Sequence, residues 1–137
     1  MNGLYPFFTC GKEVLNIDSY AFDGDLIIIA GNGEISVKYF NGKCNAYQRT
    51  YMLHPSNYFF VFLKECELNI DFLKGNSQGS VIKFITKGML EKISIPISNE
   101  IDILNTKLEK IYRYISTIEK EIINLKNLKR NLLSKYF

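Results

Sequence analysis

The sequence is short of most things that catalysis needs. Its single histidine, His54, stands just before Pro55, with no serine or cysteine in a recognisable arrangement around it. Nucleophilic chemistry of the Ser–His or Cys–His kind therefore has no footing here. Three cysteines, Cys10, Cys44 and Cys66, are an odd number without paired or zinc-type spacing. They are expected to be reduced thiols of a cytoplasmic protein, with no disulfide framework and no metal. The longest apolar run is six residues, Tyr58 to Leu63, far below the ~20 needed to cross a bilayer. The N-terminus has neither the basic start nor the apolar stretch of a signal peptide. No Walker sequence occurs, nor an Asn-Pro-Pro-Tyr-type motif with which an adenine methyltransferase would hold its base. Gly31-Asn32-Gly33 lacks the third glycine and the following helix of a nucleotide loop. Asp18, Asp23 and Asp25 do not match a calcium loop and read instead as turn caps around the strand that follows. No cofactor is expected.

What is present is enough for a core. The 137 residues are 47% hydrophobic and 23% charged, which suits one folded domain with an appendage and excludes wholesale disorder. A net charge of +3 is too small to assert a nucleic-acid binder. Its distribution says more. Residues 1–98 carry nine basic and nine acidic groups, whereas 99–137 carry eight basic and five acidic, and no acid follows Glu121.

The chain divides near Pro96. Before it, short apolar runs alternate with Gly, Asn and Asp. Asp25–Ala30 reads as a buried strand, Gly31-Asn32-Gly33 as a hairpin turn, and Glu34–Phe40, with its period of two, as a second strand. Asn41-Gly42 makes a further turn and Arg49–Leu53 a third strand. Phe59, Phe62, Leu63 and Cys66 recur at helical spacing, which predicts a helix over Asn57–Glu67. A loop over Gly75–Gly79, a strand over Val81–Ile85, a helical turn over Thr86–Lys92 and an extended piece over Ile93–Ile97 complete an α+β domain of residues 1–97.

Residues 98–137 form the second part. There is no Gly or Pro after Pro96, Ser98 is placed to act as an N-cap, and Glu100 and Asp102 suit the positive end of a helix dipole. Ile101, Leu104, Leu108, Ile111, Ile115, Ile118, Ile122 and Leu125 step by alternating threes and fours, the seam of a coiled coil. At ~1.5 Å per residue such a helix extends about 58 Å, more than the width of so small a domain. Each seam residue fully buried is worth ~1.5–3 kcal/mol, so the set is an association surface. The alternative is a helix folded back on its own domain.

One stretch suggests nucleic acid. Between positions 38 and 49, Lys38, Lys43 and Arg49 alternate with amides and aromatics on what reads as a basic hairpin. Such cations can neutralise phosphates or read guanine, while Asn45 and Gln48 can pair with adenine edges. The plainer reading is a solvated face.

Residues 79–97 (GSVIKFITKGMLEKISIPI), followed by a long helix closing with residues 125–137 (LKNLKRNLLSKYF), resemble the specificity subunits of type I restriction-modification systems. Upstream, Tyr5-Pro6-Phe7-Phe8-Thr9, Tyr20-Ala21-Phe22-Asp23, residues 27–31, Gly42-Lys43 and Arg49-Thr50-Tyr51 look like the second half of a target recognition domain, in the right order. The family commonly has Glu-Gln shortly after Ile-Pro; here Asn99-Glu100-Ile101-Asp102 stands instead. Only four residues precede Tyr5, so the expected architecture is a partial target recognition domain plus one long coiled-coil spacer helix.

The resemblance implies a non-catalytic subunit. Its partners would be double-stranded DNA, a type I methyltransferase subunit that binds S-adenosylmethionine, and a restriction subunit joining the assembly. It also implies a homodimer, or pairing with another specificity-subunit helix, in which antiparallel helices separate two recognition domains. Two other readings stay open. One is an assembly-only remnant without DNA specificity. The other is the recognition portion of a methyltransferase whose catalytic part lies on another chain.

Overall fold

A computed structural model describes residues 3–75 and 84–137. Six strands come first: β1 (Tyr5–Phe8), β2 (Leu15–Ile17), β3 (Asp25–Ala30), β4 (Val37–Asn41), β5 (Asn45–Ala46) and β6 (Thr50–Leu53). Four helices follow, α1 (Phe59–Leu68), α2 (Ile70–Gly75), α3 (Lys87–Leu90) and α4 (Ile101–Tyr136). The strands make two three-stranded sheets, ordered β4-β3-β6 and β2-β1-β5. The first is antiparallel throughout, whereas β1 pairs with β5 in parallel. Among the described residues no helix is long and apolar enough to cross a membrane.

β3 explains the layering. Its run Leu26–Ala30 is buried on both faces, as a continuous apolar strand requires. Ile27 and Ile29 join Phe59, Phe60, Leu63, Cys66, Leu73, Met89 and Leu90 in the main core under the helices. Leu26 and Ile28 turn the other way, onto Phe8 and Cys44 beneath the small sheet. Helices, central sheet and small sheet thus stack as three layers, and all three cysteines are unbridged.

Several local expectations change. The turn after β3 spans Gly31–Ser36 rather than Gly31–Gly33. Ile35 folds inward to 3% exposure, so the chain bulges and regular pairing resumes at Val37. Asn41-Gly42 does not close a hairpin. Gly24 and Gly42, at φ +111° and +136°, exchange backbone hydrogen bonds of 3.2 and 3.0 Å, and the chain leaves the central sheet to form β5 in the other. Conformations of that sign are open to glycine at little cost. Ile93–Ile97 joins no strand; Ile93 is buried while Ile97 is exposed. The expected loop and strand over 75–85 fall largely outside the described residues. Of their ends, Gly75 closes α2, Phe84 forms a bridge with Asn32, and Ile85 N–H donates to the Gly31 carbonyl at 2.9 Å. Ser98 is not the N-cap of α4. The helix begins at Ile101 behind Glu100, without a side-chain cap, and the Ser98 carbonyl accepts the Ile101 N–H.

α4 is partly embedded and partly free. Ile101 and Tyr112 are buried, and Leu108 packs on the main core. Asn105 supplies what α1 lacks. Tyr58, at the α1 N-cap position, has φ +51° and makes no capping bond. Asn105 Oδ1 instead accepts the Phe60 and Val61 N–H groups at 3.0 and 3.2 Å, satisfying two donors that a helix start leaves open. From Thr117 to Phe137 every residue is exposed, a free length of about 30 Å at ~1.5 Å per residue.

Candidate nucleic-acid interface

The five candidate base and phosphate contacts do not form a single patch. Lys38 lies on β4 opposite Ile28, on the side of the small sheet. It opens into a groove of about 550 Å³ that passes the free edge of β4, between β1 and α4. The other four follow one another from Gly42 to β6, along a segment that is extended as far as Tyr47 and then turns, the Thr50 N–H donating to the Tyr47 carbonyl at 2.9 Å. Cys44 is fully buried there and Ala46 packs against the same cluster, while Lys43, Tyr47, Gln48 and Arg49 are exposed and Asn45 is half-buried. As far as Ala46 the alternation is that of a strand with one wet face. Lys43 sits at the Gly24–Gly42 end of the β3–β4 ladder, and Arg49 beside Gly31 at the opposite end. Along β3 this separates them by about 20 Å.

Each member has a distinct setting. Lys43 Nζ stands 4.6 Å from the centre of the Tyr20 ring, which itself packs on Tyr5 at 5.0 Å. Its hydrogen bond to Tyr20 raises the lysine above its ordinary value. Asn45 Oδ1 accepts the Ala46 N–H at 2.9 Å, so half of its amide is held by backbone. Gln48 and Arg49 border an open cleft of about 330 Å³ with Gly31, Tyr51, Phe84 and Ile85. The Arg49 carbonyl accepts the Gly31 N–H and the Cys10 thiol, fixing the turn that presents the guanidinium. Among the described residues none of Lys38, Lys43 and Arg49 is in a salt bridge. Their charge is therefore available to a polyanion.

The helix seam divides between two surfaces. Ile101 and Leu108 are committed to this chain's own core. Leu104, Ile111, Ile115, Ile118, Ile122 and Leu125 remain 38–65% exposed, with Ile115 on the wall of the groove into which Lys38 opens. Tyr112, just off the seam, stacks on Phe60 with ring centres 6.0 Å apart, and its hydroxyl donates to Glu67 at 2.7 Å.

No pattern of residues signals the joint between α4 and the sheet. Asp25 is not a turn cap. Its carboxylate accepts the Tyr39 hydroxyl at 2.6 Å, the Asn41 amide at 2.9 Å and the Arg113 guanidinium at 3.0 and 3.3 Å. Arg113 also pairs with Glu109 at 2.8 Å. Burial would raise the Asp25 pKa, but hydrogen bonds from Tyr39, Arg113 and Asn41 outweigh it and hold the group below the usual carboxylate value. His54 Nδ1 lies 2.6 Å from the Asp25 carbonyl oxygen, a structural place for the lone histidine. Among the described residues no group of three His, Cys, Asp or Glu side chains is arranged to hold a metal.

Comparison with known proteins places this arrangement. Residues 1–134 match the type I restriction modification DNA specificity domain. The chain is 35% identical over 127 residues to the type I restriction enzyme EcoDI specificity subunit of Escherichia coli, covering 88% of this chain and 28% of that protein. Its fold is similar to that of the S subunit of a type I restriction-modification system from M. genitalium, with a TM-score of 0.60, 20% identity, and coverage of 93% of this chain and 34% of the other. The chain thus spans about a third or less of the length of each.

Proposed function

Because this chain belongs to the type I restriction-modification DNA specificity family, we propose that it is a sequence-reading piece of such a system. It binds double-stranded DNA and performs no chemistry itself. The observation that carries this reading is the exposed segment from Lys43 to Arg49, whose two cations have no acidic partner among the described residues. Cations of this kind position a duplex by its phosphates, and the interleaved amides and aromatics can contact base edges. Methylation and cleavage would belong to methyltransferase and restriction subunits docked on the assembly.

The exposed seam of α4 supports helix-mediated assembly, with a second copy or with another specificity-subunit helix. Charge favours an antiparallel pair. Parallel helices would set Lys129, a seam position, against its own copy, and would align two distal halves that contain no acid after Glu121. Reversing one helix moves each basic half beside a proximal half in which cations and acids balance.

The test is DNA binding by the chain together with a methyltransferase subunit, measured against salt concentration. Lys43→Ala with Arg49→Ala should weaken binding and lower the salt slope by about one for each phosphate no longer neutralised. An unchanged slope removes both residues from the interface. Co-purification with the methyltransferase subunit but no DNA binding would instead favour the assembly-only reading, which the exposed seam alone would serve.

A further inference from the structure

The distal half of α4 carries unbalanced positive charge, of which Lys126 and Arg130 share one side. Residues 119–137 hold five cations, Lys120, Lys126, Lys129, Arg130 and Lys135, against Glu119 and Glu121. An acid four residues before a cation would make a helical ion pair, but the residues four on from these acids are Ile123 and Leu125. Among the described residues none of the five cations is in a salt bridge, whereas Arg113 in the proximal half pairs with both Asp25 and Glu109.

Helix geometry fixes the side. Eighteen residues are five turns, so the positions of Leu108 and Tyr112, which face the domain, recur at Lys126 and Arg130 about 27 Å further on. Asn127 recurs in line with Glu109 by the same periodicity. Lys126 and Arg130 flank the seam rather than lie in it, so pairing through the seam leaves them in solvent. Nearer the domain, this side of α4 borders the groove into which Lys38 opens. Ile123, on the wall of that groove, comes about one turn before Lys126. Glu67 and Glu119 line the groove as well, but beyond Ile123 the helix has no acid.

We infer that Lys126 and Arg130, with Asn127 at their border, lie along the phosphates of the duplex that flanks the recognised bases. The inference rests on the DNA-binding reading above and adds a second contact surface to it. A duplex presents one negative charge per ~1.7 Å of axis, so it is the partner that a rigid, acid-free row of cations suits. Contacts of this kind position without specifying sequence. Because the row begins ~21 Å beyond Tyr112, it reaches only DNA that continues about six base pairs past the domain.

The experiment compares the assembled complex carrying Lys126→Ala and Arg130→Ala with the unaltered complex, on mixed-sequence duplexes of ~40 and ~12 base pairs. On the long duplex the double variant should lower the salt slope by about two. On the short one the two complexes should coincide. A control with Lys107→Ala and Lys110→Ala removes the same charge elsewhere on α4 and should leave the long-duplex slope in place. The inference is overturned by equal slopes on the long duplex, by a loss that persists on the short one, or by an equal loss in the control. A variant that sheds the methyltransferase subunit while keeping its DNA slope would assign the row to a protein surface instead. If the unaltered complex binds neither duplex, the DNA-binding reading itself fails, and this inference with it.

Discussion

Asp25 stands at the start of β3 and ties it to two other elements. Through Tyr39 and Asn41 it holds β4, and through Arg113 it holds α4. Arg113 is nearly half exposed, so the ion pair itself contributes no more than ~1 kcal/mol, and the hydrogen bonds to Tyr39 and Asn41 contribute on the order of 1 kcal/mol each. The sign with pH follows from the lowered pKa. Stabilisation is complete above the unfolded value, about 3.9, and is lost as pH falls through the lower folded value. Asp25→Asn should therefore reduce the melting temperature at pH 7, and the gap from wild type should begin to narrow below about pH 4. Thermal melts from pH 7 to 3 check this; a gap that stays constant over that range removes the carboxylate's charge from the joint.

At the scale of elements, α4 shows what periodicity can and cannot reveal. The heptad seam is plain in the sequence, and so is a helix of about its observed length. The domain-facing stripe, Ile101, Asn105, Leu108 and Tyr112, is hidden because it shares two residues with the seam and takes one polar residue. Asn105 signals nothing until Tyr58 is seen to leave α1 uncapped. β3 was legible because burial on both faces demands an unbroken apolar run. β1, β2 and β5 were not, since strands of two to four residues carry too little pattern and β1 includes Pro6. The candidate DNA-binding residues were legible as residue types only. Their separation into one segment and the outlying Lys38 depends on the chain changing sheets at Gly42.

The exposed part of the seam has its own test. Ile118→Lys with Ile122→Lys places two charges in its middle, where each apolar side chain contributes ~1.5–3 kcal/mol to a pair when fully buried. The variant should elute as a monomer under conditions in which the wild type associates, with unchanged thermal stability of the domain, because neither side chain packs on the core. Light scattering measures the first and calorimetry the second. An unchanged mass would show that association does not run through this face.

For the molecule as a whole, the two parts described by composition are mechanically one body over the first third of α4. A chain ending at Ile97 would lose Ile101, Leu108 and Tyr112 from the core and the Asn105 cap from α1. Large side-chain losses of this kind cost ~2–5 kcal/mol apiece, comparable together with the stability of a small domain. That truncated chain should show collapsed amide dispersion and no cooperative melt. A sharp transition near that of the full chain would mean that α4 only rests on the domain.

The Asn105 cap also orders events during synthesis. A domain folds as its residues leave the ribosome, and here α1 waits for a partner made some forty-five positions later. The domain cannot finish closing before the base of its own rod has emerged. Whatever then grips that rod meets a domain already complete.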